Sequence, residues 1–236
     1  PVSDPLVWKG NGTTHTWNNT TSNLVWLNGD TAAGFGDTDT ATFDDSGINS
    51  PSITISGTVQ PSAVTVDSSK NYTFTGTGAI GGASSLTKSG TGTLTLSNTG
   101  GNTFPLDILI DGGAVVIGAG SSMGNGPLEF RSGTLTSLYT SGQTLPNIIT
   151  VPSGSNVAVN MAPQMKLGGV SGSGNLSLKV TSTVTQDSRL NGSWSGFTGT
   201  LNLFAVGTKG LVCVNFNGDS TNGSFNNLNA ATVNLD

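Results

Sequence analysis

The sequence predicts an all-β protein wound as a parallel β-helix, a solenoid whose short strands stack coil upon coil. Three observations carry this reading. First, Leu86-Thr-Lys88-Ser-Gly90-Thr-Gly92-Thr-Leu94-Thr-Leu96-Ser-Asn98 alternates aliphatic with small hydroxyl residues, which reads as a half-buried strand with Leu94 and Leu96 on one face. Second, the same words return as Gly133-Thr-Leu135 and Gly199-Thr-Leu-Asn-Leu203, and Gly78–Lys88 is echoed 90 residues later by Gly168–Leu178. That offset holds about four coils of roughly 20 to 25 residues, and one coil cannot bury its own apolar face. Third, the chain is rich in Gly (35 residues), Thr, Ser and Asn, only 9% charged and 34% hydrophobic, with Glu129 as its one glutamate. This is the composition of many strands and many turns. Irregular spacing between the strands keeps a β-sandwich as the alternative.

The elements follow in order. Residues 1–50 form a distinct Trp/Asp-rich segment, holding Trp8, Trp17, Trp26, the only histidine (His15) and six of the thirteen acids. Short strands are expected at 5–9 and 24–27, with an alternating strand across Gly34–Asp45. Residues 51–236 settle into strands of five to seven residues with Gly, Asn or Pro between them. The expected positions are 52–55, 63–66, 72–75, 91–96, 108–110, 114–117, 133–138, 148–151, 157–160, 175–179, 199–203, 211–216 and 232–235. Thr, Ser and Asn at matching places of successive coils would form hydrogen-bonded ladders. No window repeats at i, i+3, i+4, i+7, so helix content is expected to be minimal.

A net charge of −5, with its eight basic residues scattered singly, argues against sequence-independent binding to nucleic acid or to anionic membranes. No run approaches the length of a membrane span. The abrupt start at Pro1 and the strand pattern at Ala231–Asp236 suggest a fragment of a longer repetitive polypeptide. Cys213, in Gly-Leu-Val-Cys-Val-Asn-Phe, reads as a small buried hydrophobe rather than a reactive thiol.

The words also match a known family. The stretch Leu86–Asn98, then Asn102-Thr-Phe104 and Ile110-Asp-Gly-Gly-Ala-Val-Val-Ile-Gly118, resembles the autotransporter-associated β-strand repeat. Trp8-Lys-Gly-Asn-Gly, Trp17-Asn-Asn, Trp26, Gly36–Phe43 and Asn71–Gly76 resemble the lead-in found in large bacterial surface proteins carrying it. Together these cover about residues 5 to 120, with a weaker match over Gly168–Leu203. Pro105 departs from the pattern and puts the local turn in doubt. The resemblance implies a right-handed parallel β-helix at or beyond the outer membrane of a Gram-negative bacterium, with no catalytic residues.

Four candidate sites remain. Asp37, Asp39 and Asp44 form a possible calcium set, against a solvated acidic face with no cofactor, and their spacing matches no EF-hand loop. Asp45-Ser46-Gly47 resembles the turn of an aspartic peptidase. It would need a second carboxylate, from a symmetric partner or from Asp111, to share a proton. His15 reads as a surface turn residue, since one His and one Cys do not make an ordinary zinc site. Trp8, Trp17 and Trp26 form either a sugar-stacking platform or a cap over the open end of the core, and the cap is preferred. The expected function is a non-enzymatic, adhesin-like surface or secreted scaffold, with a glycan-binding module and an aspartic-type peptidase as alternatives. The expected partners are host or environmental glycans or proteins, without nucleic acid and without membrane insertion by this chain.

Overall fold

The computed structural model describes residues 3–13, 15–47, 52–118, 120, 122–138, 143–163, 165–182, 188–190, 192–207, 214–216 and 232–235. Among these there is no helix. The strands stack as a parallel β-helix, and the sandwich alternative falls because coil-to-coil pairing is parallel throughout. The chain divides into two compact units, Pro1–Gly126 and Pro127–Asp236.

In the first unit, one sheet runs through Pro5–Trp8, Thr40–Phe43, Ala63–Asp67, Ser85–Ser89 and the start of Ile108–Ile117. Its register sets Leu6 beside Ala41, Ala41 beside Val64, Val64 beside Leu86, and Leu86 beside Ile108. A second sheet runs through Thr16–Trp17, Ser52–Ile55, Tyr72–Thr75, Thr93–Leu96 and the end of Ile108–Ile117. The short strands Thr58–Val59 and Ala79–Ile80 make a third line. Alternation along each strand then dictates columns. Ala41, Val64, Leu86 and Ile108 are all fully buried, as are Phe74, Leu96 and Ile117, while Thr42, Thr65 and Thr87 stack on the outer side.

The second unit repeats the plan. Ile149–Val151 and Val170–Gly172 continue the start of Leu128–Ser137, while Asn156–Met161, Asn175–Ser182, Thr200–Gly207 and Thr232–Leu235 continue its end. The third line is Thr144–Leu145, Lys166–Leu167, Ser188–Leu190 and Val214–Phe216. Leu135, Val159, Leu178 and Leu203 fall on one line, while Gly133 lines up with Val157, Leu176 and Leu201, so the Gly133 and Gly199 words share a sheet but stand two residues out of register. Asparagine and hydroxyl ladders follow the rungs: Asn175 Nδ2 donates to Asn156 Oδ1 at 2.8 Å, and Thr150 and Ser171 hydroxyls lie 3.0 Å apart.

The structure redraws several sequence expectations. Leu86–Asn98 is two strands, not one, because the chain turns a corner at Gly90-Thr-Gly92. Gly90 has φ +68°, and a Cβ on Gly92 would lie 2.0 Å from the Lys70 carbonyl oxygen of the coil below. Conversely, 108–110 and 114–117 are one strand, Ile108–Ile117, bent at Gly112-Gly113 so that each half joins a different sheet. The 90-residue echo does not join equivalent positions. Ile80 lies in the third line beside Val59, whereas its counterpart Val170 pairs with Ile149. Gly/Ser-rich runs precede strands on every sheet, so the echo reports turn chemistry rather than register. Of Gly34–Asp45 only Thr40–Phe43 is strand, with Phe35 buried in the loop before it. At the departure from the family pattern, Phe104 is buried with φ +27° directly before Pro105. Cys213 lies outside the described residues.

Truncating an inward rung residue leaves a cavity that neighbouring coils cannot fill. Leu94→Ala is expected to cost about 2–5 kcal/mol, whereas the outward Thr95→Ala should change stability by no more than about 0.5 kcal/mol. Urea denaturation of the two variants checks this, and equal losses would contradict the facing of the rung.

Candidate functional site

The N-terminal segment closes the end of the first sheet. Trp26–Asn28 pairs antiparallel with Pro5–Trp8, setting Trp26 beside Trp8, and turns back into Thr31–Ala33. Trp8, Trp17 and Trp26 are 0%, 0% and 1% exposed. Trp8 meets Trp26 edge-on at 5.0 Å, and Trp17 lies 5.4 Å from Trp26, 5.5 Å from Phe43 and 5.8 Å from Phe74. Edge-to-face packing of this kind adds to the large area each ring buries. No ring face is open to a sugar, so the stacking platform is corrected: these tryptophans fill the core beneath the hairpin. His15 is likewise no free surface turn residue. It is half-buried at the head of the Thr16–Trp17 strand, its carbonyl accepts the Thr54 N–H at 2.7 Å, and its Nδ1 is buried without a partner.

The acidic residues lie where coils turn. Register places Asp67 beside Ser89; one residue beyond Phe43–Val66 and Lys88–Ile110, the same column continues through Asp44 and Asp111. An open groove of about 500 Å³ follows this column, lined by Asp44, Asp45, Asp67, Ser68, Ser69 and Thr91. Asp45 is the most committed carboxylate in it. Its Oδ1 accepts Ser68 Oγ at 2.5 Å and the Ser69 N–H at 2.8 Å, and its Oδ2 accepts Ser69 Oγ at 3.0 Å. Lys70 Nζ donates to the Asp45 and Gly47 carbonyls, at 2.5 and 2.8 Å, and Tyr72 Oη donates to the Asp44 carbonyl at 2.6 Å. The bonds from Ser68 and Ser69 lower the Asp45 pKa from 3.8 to about 2, while burial pushes the Tyr72 phenol up to about 12.

This geometry answers the peptidase and calcium readings. Asp45 and Asp111 sit three rungs apart, about 14 Å at the spacing of neighbouring strands, so they cannot share a proton across one water. Asp45 instead staples one coil to the next. Asp37 accepts the Gln60 N–H at 2.9 Å and Gln60 Nε2 at 3.1 Å. Asp39 is 8% exposed and takes the Asp4 and Gly36 N–H groups at 2.9 and 2.8 Å. Asp44 binds the Ser46 N–H at 2.8 Å. Each carboxylate of the calcium set therefore serves a different loop, and among the described residues no group of three acidic, His or Cys side chains gathers to hold an ion.

Two polar features escaped the sequence reading. Lys88 occupies an inward position in line with Phe43, Val66 and Ile110, and it is fully buried. Its Nζ donates to the carbonyls of Ser89, Gly90 and Gly112, the last in the next coil at 3.4 Å. Burial pushes its pKa down, opposed by the charge of Asp67. The signal was available, because Lys88 shares the parity of Leu86. The second feature is a buried pair. Asn98 Nδ2 donates to Asn102 Oδ1 at 2.6 Å and Asn102 Nδ2 to Asn98 Oδ1 at 3.1 Å, while each reaches a neighbouring coil through Gly78 or Ser122.

No helix among the described residues is long and apolar enough to cross a membrane. No family model, curated protein or solved structure matches the chain.

Asp45 has a folded pKa below its unfolded one, so its contribution is complete above about pH 4 and is lost as pH falls through about 2. Asp45→Ala should melt a few degrees below the parent at pH 6, with the gap closing toward pH 2; a pH-independent gap in thermal scans would contradict the staple. Lys88→Ala leaves three carbonyls without their donor and should cost at least about 2 kcal/mol in denaturant unfolding.

Proposed function

We propose that this chain is a scaffold or stalk segment of a bacterial surface or secreted protein, of the passenger type that its resemblance to the autotransporter-associated repeat implies. The observation that best supports this reading is the coil-to-coil register. Val64, Leu86 and Ile108 follow one another at 22 residues per coil, and polar turn groups such as Asp45 and Asn102 bond the coil beside them. Such a stack lengthens by about 4.8 Å per coil and holds whatever lies at its ends apart. Its outer columns of Thr, Ser and Asn offer polar contact to glycans or proteins in the surroundings. The tryptophans and the Asp45 turn, where a specific activity would otherwise be sought, are occupied by packing and stapling.

The reading is tested by removing one coil. Deleting 86–107 joins Ser85 to Ile108, which already stands in register with Leu86. In the full-length protein that shortened chain is expected to fold, to be exported, and to be labelled by antibody on intact cells as the parent is. Deleting half as much, 86–96, breaks the phase and is expected to abolish labelling. A protein found only inside the cell, or one whose labelling is lost with a whole coil, overturns the scaffold.

A further inference from the structure

Three Asn-Gly steps lie within the described residues: Asn11-Gly12, Asn28-Gly29 and Asn125-Gly126. In such a step the glycine nitrogen has an unobstructed approach to the asparagine carboxamide carbon, because no following side chain shields it. The structure separates the three. Asn125 and Gly126 both donate their N–H groups to the coil below, to Thr103 O at 3.1 Å and Phe104 O at 3.0 Å, and a Cβ on Gly126 would lie 2.0 Å from Leu106 O. That backbone is locked. Asn11 spends its Oδ1 on Thr13, accepting the N–H at 3.0 Å and Oγ1 at 3.2 Å. Asn28 is different. It ends the Trp26–Asn28 strand, and its carboxamide has no hydrogen-bond partner among the described residues, nor has the Gly29 N–H. Gly29 is exposed at φ +58°, with nothing within 4 Å of where a Cβ would stand.

We infer that Asn28 is a site of spontaneous backbone modification. The Gly29 nitrogen bonds to Asn28 Cγ, the carboxamide nitrogen leaves as ammonia carrying the Gly29 proton, and a cyclic imide results. Water then opens the ring at either carbonyl, giving aspartate or isoaspartate. One water is consumed and one ammonia released, and no oxidant or reductant enters. The place gives the reaction its consequence. Asn28 stands beside Leu6 on one side and Thr31 on the other, in the hairpin that sets Trp26 against Trp8. Isoaspartate adds a methylene to the main chain at that point and a charge next to Asp30. The hairpin slips its register, and the aromatic cluster beneath it meets water.

The test incubates the intact 236-residue chain at mildly alkaline pH and maps its peptides over time, with isoaspartyl methyltransferase labelling. Conversion at Asn28 is expected to run several-fold ahead of Asn11 and Asn125, with tryptophan emission shifting to the red in step. Asn28→Gln should remove the labelling of the peptide that holds position 28 and the shift with it. Conversion at Asn11 or Asn125 as fast as at Asn28 overturns the site. So does an unmodified Asn28 after a short Leu-Asn-Gly-Asp peptide has fully converted. A red shift that persists in Asn28→Gln overturns the link to the cap, and the peptide map decides the site whether or not that variant folds.

Discussion

Everything in this chain depends on one close approach: each coil must bring its backbone within hydrogen-bonding distance of the coil before it, at the corners as well as along the strands. Strands achieve this readily, since parallel ladders repeat at a fixed spacing. Corners do not, because a Cβ there points into the neighbouring main chain. A side chain on Gly124 would begin 2.1 Å from Thr103 O, and one on Gly199 would begin 1.9 Å from Gly174 O. Glycine at these places is a condition of stacking, and strand phase, buried columns and outer hydroxyl ladders follow from where the corners fall.

Where glycine alone does not satisfy a turn, a side chain does, and the charged groups are best understood this way. Asp45 gathers the donors of the next coil's Ser68–Lys70 turn, and Lys88 gathers three carbonyls from inside the core. Burying an ammonium costs more than one solvent-exposed bond returns, so it persists only with several partners in place. Asn98 and Asn102 apply the same solution without charge. These groups look like chemistry in isolation. In the fold their bonding capacity goes to the turns of their own and neighbouring coils, which is why a scaffold reading accounts for more of them than a catalytic one.

The strand content was legible because alternation is local. Leu94 and Leu96 declare their face within four residues, whereas the repeated Gly-Thr-Leu words would set Leu135 beside Leu201 and the register sets it in line with Leu203. The corner inside Leu86–Asn98 was not legible as a corner. Gly90 and Gly92 matter through Ser68 and Lys70, one coil earlier in the sequence. The same distance hid the role of Asp45, whose Asp-Ser-Gly triplet gives no hint of a partner turn 23 to 25 residues on. The meeting of the tryptophans was not legible either, because Trp8, Trp17 and Trp26 come from three separate strands that converge on Phe43.

The short separation between most paired residues bears on how the molecule acquires its structure. Val64 pairs with Leu86, and Leu86 with Ile108, so these strands need only the coil next in sequence, although Leu6–Ala41 and Thr16–Thr54 close longer loops at the N-terminal end. All-β proteins usually fold slowly because their pairings span large loops. Here each completed coil is the template for the next, and ordering can advance like a zipper from one finished rung. A polypeptide emerging end-first through a narrow opening would gain structure on the far side one coil at a time, and each coil gained would oppose its slipping back.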